Sequence, residues 1–279
     1  MIHLVRTIFD PILSTILPEQ CRVCVAREAD LAGGVVCEHC WDAAPLFTNE
    51  TPVCSKCSTP LDVRTNMHPK HCGSCEEFAF DRTFACGTYD GAIAGSVIAL
   101  KTRPVIPGRL REVIRNTVRR IAAWEFGIII PVPLSRKREH ERGFNQAEKI
   151  ARVVSRYSGV PVCSNALQRT VHTPMHRAGM DDRAREMTVE KAFSVVRPEL
   201  IRDKSILLVD DVMTSGATAD ACASILKKER RKLFDRSHHR SRRPLCLNYR
   251  IPTEYRTAAS ADRRRHRTGR SVCRSRTTF

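Results

Sequence analysis

Eight cysteines in the first third of the sequence limit the folds that are open to this chain. They form four Cys-x-x-Cys pairs separated by 12, 13 and 14 residues: Cys21/Cys24, Cys37/Cys40, Cys54/Cys57 and Cys72/Cys75. Two residues between thiolates let both sulfur atoms face one tetrahedral zinc ion, and two such pairs complete a four-sulfur site. The spacing predicts a small module organised by one or two structural zinc ions, and it leaves open whether the pairs combine sequentially or interleave.

Other uses of the cysteines fit the sequence less well. A disulfide framework needs an oxidising compartment, and residues 1–18 lack the features of a secretory signal. No stretch approaches the ~20 apolar residues of a membrane span, so we expect a cytoplasmic protein. His39, His68 and His71 lie beside the pairs and are alternative ligands, although exposed polar positions suit them better. A fully protein-ligated zinc stabilises the fold and leaves no coordination position for substrate.

The pattern of apolar residues divides the chain into four parts. Residues 1–17 have helical spacing, 18–78 contain the cysteine pairs, 79–228 alternate short apolar strands with amphipathic helices, and 229–279 are rich in arginine. Such alternation predicts an α/β domain on a parallel sheet. We expect strands over 80–89, 128–130 and 206–209, helices over 93–101, 110–121, 145–154 and 219–228, and a basic loop over 136–143.

The segment from Ile206 to Thr218 is the most informative for chemistry. An apolar strand runs into Asp210 and Asp211, and a loop of small residues then leads into a helix. The loop and helix start consist of Thr214, Ser215, Gly216, Ala217 and Thr218. Backbone N–H groups, hydroxyls and a helix N-terminus together favour a phosphate. An N-capping Asp in an ordinary strand-to-helix turn would explain the same residues.

A resemblance to a known family follows from several motifs in order. Val-Asp-Asp-Val-Met-Thr-Ser-Gly-Ala-Thr, residues 209–218, resembles the phosphoribosyl pyrophosphate (PRPP) motif of type I phosphoribosyltransferases. Ile-Pro-Val-Pro-Leu at 130–134, Glu-Arg-Gly-Phe-Asn-Gln-Ala-Glu at 141–148 and the preceding cysteine pairs resemble the ComF competence-protein subgroup. The resemblance covers residues 18–228. It implies a type I phosphoribosyltransferase fold behind a Cys-rich zinc module, and an association with DNA uptake.

The resemblance also implies ligands and residue roles. PRPP would bind with magnesium, and Asp210 and Asp211 would hold the ribose hydroxyls. The 5′-phosphate would lie on residues 214–218, and Lys101 would bind the pyrophosphate and complete the catalytic set. Implied partners are a competence helicase or single-stranded DNA. The mouth of the site would be lined by Arg142, Gly143, Asn145 and Gln146; a solvated basic loop with a helix start at Asn145 is the alternative.

Three positions depart from the family pattern. His176 stands where Gln is expected, Thr188 where Asn is expected, and Thr102 where an aromatic residue is usual. These changes leave the PRPP loop intact and affect the acceptor side. Two functions therefore remain open: a PRPP-binding protein with phosphoribosyltransferase activity, and a nucleic-acid-binding accessory protein that keeps the fold as a scaffold.

The tail does not continue the α/β pattern. Of the net charge of +17, residues 229–279 contribute +12, with 16 Lys/Arg against 4 Asp/Glu. A basic arm for nucleic acid is one interpretation. A frameshift is the other, because the codons of His238-His239-Arg240, read one base later, encode Thr or Ile twice and then Ala, Val, Gly, Asp or Glu. That is strand-like sequence where the last strand of the sheet is expected. The shifted frame would make the local sequence agree with the α/β pattern of the rest of the domain, and this agreement favours the frameshift.

Overall fold

The computed structural model describes residues 19–30, 32–61, 72–170 and 192–238, the last seven by their backbone alone. The predicted N-terminal helix, His68, His71, His176, Thr188 and residues 239–279 lie outside the described residues. The elements are β1 (Glu19–Gln20), β2 (Glu28–Ala29), α1 (Glu38–Asp42), α2 (Gly91–Ala99), α3 (Gly108–Arg120), β3 (Ile128–Pro131), α4 (Arg136–Arg142), α5 (Gln146–Ser158), β4 (Leu167–Arg169), β5 (Phe193–Val195), a 3-10 turn (Pro198–Ile201), β6 (Ile206–Val209) and α6 (Ala217–His238).

Parallel strands form the centre of the α/β part. β3 pairs in parallel with β6, from Ile128 opposite Ile206 to Pro131 opposite Val209. On its other side β3 meets Val162 through a parallel bridge to Ile129. The expected α/β class, a parallel sheet preceded by a small Cys-rich module, is confirmed.

Helices cover both faces of this sheet, and the strand sequences reflect it. On one face Ile129 and Val209 share a core with residues of α3 and α5, including Leu110 and Ala151. On the other face Ile128 and Ile130 share a second core with α6, which contributes Ala221, Cys222 and Leu226. All four residues of β3 are therefore buried, as continuous apolar strands between two helical layers require.

The strand predicted over residues 80–89 is wrong. This segment is irregular, with one isolated bridge between Gly87 and Leu46. Its apolar side chains separate instead of lining one face: Phe80 packs beside the second group of cysteines, while Phe84 lies edge-on to Trp124 with ring centroids 5.5 Å apart. Its backbone bonds join the Cys-rich module, as in the 2.7 Å bond from the Thr83 N–H to the Lys56 carbonyl.

The loop predicted over residues 136–143 is also wrong, because most of it is helix α4. Ser135 begins the helix by accepting a hydrogen bond from the Arg138 N–H at 3.4 Å, and Gly143 ends it in the left-handed conformation with φ of 75°. None of its residues is buried. A helix without an apolar face produces no periodic signal, so only its caps could have predicted it.

The antiparallel pair of β4 and β5 was not predicted. Leu167 lies opposite Val195, and Arg169 lies opposite Phe193. Each strand has three residues, too few for an alternating pattern to distinguish them from a loop.

Strand β6 is less well covered than β3. In the described part of the chain it pairs with β3 alone, and Ile206, Leu207 and Leu208 keep partial solvent exposure. Helix α6, predicted over 219–228, extends to His238. No further strand follows it within the described residues, so the expected last strand of the sheet lies outside them if it exists.

Restoring the reading frame near residue 229 should stabilise the protein. A strand added beside β6 would bury its partly exposed apolar side chains, and this predicts a melting temperature higher by about 5 °C or more. Differential scanning calorimetry and size-exclusion chromatography of both chains test this. A natural chain that is monomeric, melts cooperatively and matches the restored chain would contradict the frameshift and support the basic-arm interpretation.

Candidate zinc centres and anion-binding loop

The cysteine pairs combine sequentially into two four-sulfur clusters. The first cluster is formed by Cys21, Cys24, Cys37 and Cys40, and the second by Cys54, Cys57, Cys72 and Cys75. Within each cluster all the sulfur atoms lie within 4.8 Å of one another. This settles the order that the sequence left open.

The sulfur spacing fits tetrahedral zinc. A Zn–S bond of about 2.3 Å places tetrahedral sulfur atoms about 3.8 Å apart. In the first cluster Cys21 Sγ lies 3.8 Å from Cys40 Sγ, and Cys24 Sγ lies 3.8 Å from Cys37 Sγ. In the second cluster Cys54 Sγ lies 3.6 Å from Cys75 Sγ. Four thiolates fill the coordination shell, as in a structural site, and His39 is not needed as a ligand.

Backbone N–H groups point at one buried sulfur in each cluster. Cys21 Sγ accepts from Val23 N–H at 3.4 Å and from Cys37 N–H at 3.3 Å. Burial alone would raise the pKa of Cys21, but the N–H groups of Cys24, Cys37 and Val23 lower it to about 6. Cys54 has the same arrangement, and its pKa is also lowered to about 6. The fold thus favours one thiolate in each cluster, whereas the pKa values of Cys40 and Cys75 are raised to about 12 by burial and by the neighbouring sulfur atoms, whose repulsion a bound metal would neutralise.

The two predicted carboxylates lie at the carboxyl end of β6. In open α/β sheets, ligands bind outside this end of the strands. The Asp210 carboxylate accepts a hydrogen bond from the Asp211 N–H at 2.8 Å. Helix α4 follows the end of the neighbouring strand β3, so its basic residues reach the same edge of the sheet.

Asp210 has an unusual proton affinity. Its carboxylate touches solvent, yet protein atoms surround it closely, and the lost hydration is the first cause of a pKa raised to about 7. The negative charge of Asp211 is the second cause, and Arg169 opposes both. An acidic pair of this kind gains from a bound cation, because the cation neutralises the repulsion.

The loop after the carboxylates is open to a ligand. Thr214 and Ser215 are exposed, and Ser215 Oγ accepts from the Ala217 N–H at the start of α6. Within the described residues, the N–H groups of Thr214, Ser215 and Gly216 donate to no protein acceptor. Free N–H groups before a helix N-terminus can bind an anion.

Gly216 is required for two reasons, and one of them was not expected. Its φ is +83°, in the left-handed region that favours glycine. A Cβ atom there would also lie 2.8 Å from Cε2 of Phe78. No sequence pattern indicates this neighbour, because Phe78 belongs to the distant segment that follows the second cluster.

The remaining predicted residues differ in exposure. Lys101 is exposed just after α2, and its neighbour Leu100 shares a core with Val209. Arg142 and Gly143 end helix α4, where Gly143 N–H donates to the Glu139 carbonyl at 2.8 Å. Lys101 and Gly143 are therefore both exposed to solvent.

Asn145 and Gln146 are buried. Asn145 Nδ2 donates to the Val132 carbonyl at 2.9 Å, and Oδ1 accepts from the Ala147 N–H at 3.0 Å. Asn145 therefore begins α5 and ties it to the end of β3. Gln146 is 1% exposed, and its Nε2 has no partner among the described residues.

Arg169 on β4 was not predicted. Burial lowers the pKa of Arg169, and Arg138 lowers it further, while Cys222 and Asp210 act in the opposite direction. Its guanidinium lies 5.3 Å from the Phe193 ring centroid. The sequence offers only an isolated Arg-Thr pair at this point, which carries no spacing signal.

Comparison with known proteins agrees with this architecture. Residues 12–76 match the family described as "Double zinc ribbon domain". Competence protein F of Haemophilus influenzae is 27% identical over 71% of this chain and 86% of its own length. These similarities and the double zinc ribbon support a ComF-family protein. Two further ComF-family matches are Competence protein ComFC of Bacillus subtilis, 30% identical over 36% of this chain and 38% of that protein, and DNA utilization protein YhgH of Escherichia coli K12, 32% identical over 35% and 42%.

A solved structure shows a slight likeness. Glutamine PRPP amidotransferase from B. subtilis, complexed with ADP and GMP, is 20% identical, with a TM-score of 0.30 over 46% of this chain and 26% of that chain. At that TM-score the likeness assigns neither ligand nor reaction to the ComF-family chain. No described helix is long and apolar enough to cross a membrane.

Metal analysis should return two zinc ions per chain. Protein purified with reductant and without chelator is suitable for mass spectrometry of bound metal. Cys54→Ser should reduce the content to one ion, because it removes one ligand from the second cluster alone. Cys163→Ser is the matched control, since Cys163 lies in neither cluster, and it should retain two. A wild-type content of one or none would contradict the two-site geometry.

The raised pKa of Asp210 predicts a pH-dependent stability difference. The folded chain keeps this proton up to about pH 7, whereas the unfolded chain releases it near the ordinary value of 3.8. Ionisation therefore costs stability as the pH rises between these values. Asp210→Asn removes that cost, so its melting temperature should rise relative to that of wild type from roughly pH 4 to 7 and then level off.

The matched variant for this experiment is Asp211→Asn. It removes the charge of Asp211, which is the second cause of the raised pKa of Asp210. The pH range over which the ionisation of Asp210 costs stability should therefore end at a lower pH. A difference between Asp210→Asn and wild type that stays constant over the whole range would show that the Asp210 carboxyl titrates normally.

Proposed function

We propose that this ComF-family chain binds PRPP together with magnesium at the carboxyl end of β6. One observation supports this most: β6 runs into two carboxylates and then a loop with exposed hydroxyls, a helix start and N–H groups that have no acceptor among the described residues. PRPP offers a matching pair of groups, since its ribose hydroxyls can bind carboxylates and its 5′-phosphate can bind the loop.

Each residue then has a defined task. Asp210 and Asp211 orient the ribose hydroxyls, and the loop and first turn of α6, from Thr214 to Thr218, bind the 5′-phosphate. Lys101 faces the pyrophosphate. Asn145 and Gln146 support the entrance of the site without being exposed in it, because their side chains are buried against the end of β3 and the start of α5.

Magnesium fits the acidic pair on its chemistry. The cation prefers oxygen ligands, and the raised pKa of Asp210 is consistent with uncompensated negative charge at this point. When bound, magnesium neutralises pyrophosphate. Phosphoribosyl transfer is the reaction served by such a site: the bond from the ribose C1 to pyrophosphate breaks, and an acceptor nucleophile bonds to C1. The protein then contributes by positioning and electrostatic stabilisation.

The proposal includes domains and setting. Residues 18–78 are the zinc module, 79–228 are the ligand-binding domain, and the protein works in the cytoplasm in competence-associated DNA uptake. The names of its relatives refer to competence and to DNA utilization.

A second candidate is nucleic-acid binding. Helix α4 presents Arg136, Lys137, Arg138 and Arg142 with none of its residues buried, and such a basic surface attracts phosphate backbones. A competence helicase or single-stranded DNA would then be the partner. Salt-dependent DNA binding by a chain ended at Lys228, without calorimetric PRPP binding, would favour this candidate.

Isothermal titration calorimetry of the full chain with PRPP and MgCl₂ tests the first candidate. Asp211→Asn should weaken binding by about 1.5–3 kcal/mol, the usual contribution of hydrogen bonds to a charged group. Asp203→Asn is a matched control, because Asp203 precedes β6 at the opposite end of the strand and asparagine tolerates its φ of 54°. It should leave affinity unchanged. Equal losses in both variants, or no heat with wild type, would rule out this site.

Gly216→Val should weaken binding further and also lower the melting temperature. A side chain at 216 meets both a left-handed backbone and the Phe78 ring, and backbone strain of this kind costs about 1–3 kcal/mol. Gly159→Ala separates the two effects, because Gly159 has φ of 74° but open space around its Cβ position. It should cost stability without affecting PRPP affinity. If the two variants behave alike in calorimetry, Gly216 has no special relation to the ligand.

A further inference from the structure

The residues that follow the second cluster lie along helix α6. We call residues 76–81 the bridging segment. The Phe78 ring covers Gly216, Ala79 N–H donates to Asp220 Oδ1 at 2.5 Å, and Lys227 Nζ lies 2.5 Å from Asp81 Oδ1. Three contacts therefore join the bridging segment to α6, and the first two lie at the loop and the first turn of the helix.

The second cluster fixes the bridging segment in place. Lys56, between Cys54 and Cys57, donates through Nζ to the carbonyl oxygens of Glu76 and Phe78, both at 2.8 Å. The rings of Phe78 and Phe80 lie 5.1 Å apart. Lys56 belongs to one cysteine pair and the bridging segment follows the other, so a metal that joins the pairs also sets this geometry.

Helix α6 completes the apolar surroundings of the second cluster. Ala223 is buried with Cys54, Cys57, Cys75 and Phe80, and Ala219 packs against the same group. The cluster and the start of α6 thus share one small core. A displacement of the cysteine pairs would remove apolar contacts from the helix that begins at the loop.

The first cluster contacts other elements. Ala32 accepts from the Arg109 N–H at 2.9 Å, and Gly34 packs against Pro107 at the start of α3. Glu19 pairs with Arg103 at 2.6 Å. The two clusters therefore dock on different parts of the α/β domain.

We infer that the second four-cysteine cluster positions the loop of residues 210–216 through Phe78 and Asp220, so that this loop is ordered only when zinc joins the two cysteine pairs of that cluster. The first cluster shares a core with Val209 and with the partly buried Val212, but in the described part of the chain no contact joins it to Gly216 or Asp220, so we expect its loss to leave the order of the loop unchanged. Phe78 is a positioning residue: it holds Gly216 and touches no reacting atom. The consequence for PRPP affinity rests on the proposed function, whereas the ordering of the loop does not.

Hydrogen–deuterium exchange of the full, zinc-loaded chain without ligand tests the ordering. Peptides that cover the loop should exchange about tenfold faster in Phe78→Ala than in wild type, because the free energy of local opening decreases. Phe78→Leu should restore part of the protection. Lys227→Ala is the matched control: it breaks a surface ion pair between the same two segments, about 16 Å further along the helix, and should change exchange less than twofold.

A pair of zinc-ligand variants distinguishes the clusters. Cys72→Ser and Cys40→Ser each remove one partly buried ligand, and only Cys72→Ser should accelerate exchange in the loop. Peptides from β3 serve as the internal reference for general stability. Unchanged loop exchange in Phe78→Ala, or equal acceleration in the loop and β3, would overturn the inference.

Titration with PRPP and MgCl₂ then separates the two proposals. Phe78→Ala should weaken binding about tenfold, with Phe78→Leu between it and wild type. Faster loop exchange in a chain whose wild type binds no PRPP would support the positioning role and reject the proposed function. Tight PRPP binding that is identical in Phe78→Ala and wild type, together with unchanged loop exchange, would reject the positioning role and keep the proposed function.

Discussion

The convergence of four thiolates at each of two points is the constraint on which the rest of the structure depends. The described residues between 19 and 80 bury few large apolar side chains besides the cysteines, chiefly Val35, Val36, Trp41 and Phe80. So small an apolar core cannot offset the chain entropy of ordering this segment. Metal coordination would supply the missing free energy, and the short spacing of sulfur atoms in both clusters agrees with that role. Once ordered, the module presents rigid surfaces to the α/β domain.

Helix α6 connects these surfaces to the candidate site. Its Ala221, Cys222 and Leu226 cover one face of the parallel sheet, and its Ala219 and Ala223 pack against the second cluster. Small residues at those two positions let the backbone of the helix approach the cysteines. The same helix begins immediately after the loop. Its position is therefore determined from two sides, which explains how a loop with exposed hydroxyls can keep Gly216 in a left-handed conformation.

Features encoded by local spacing could be predicted from the sequence, and features that depend on distant contacts could not. The cysteine pairs, β3, β6 and helices α3 and α5 each have a periodic or fixed-spacing signal. Helix α4 lacks one because no residue of it is buried. The apolar residues from Phe80 onwards suggested a strand, although Phe80 packs beside the second cluster and Phe84 packs on Trp124. The contact of Phe78 with Gly216 joins residues far apart in the sequence, so no local pattern could reveal it. The same holds for Arg169, which reaches the site only because β4 pairs with β5.

Electrostatics at the end of β6 restrict what can bind there. Asp210 combines lost hydration with a neighbouring carboxylate, which raises its pKa to about 7, while Arg138 and Arg169 bring positive charge to the same neighbourhood. A simple anion would meet repulsion from the acidic pair, and a simple cation would leave the free N–H groups of the loop unused. A ligand with hydroxyls or a bound cation at one end and a phosphate at the other can interact favourably with both the acidic pair and the N–H groups of the loop. Under the proposed function, this requirement favours a sugar phosphate with a bound cation over a simple ion, whichever acceptor a transfer reaction would use.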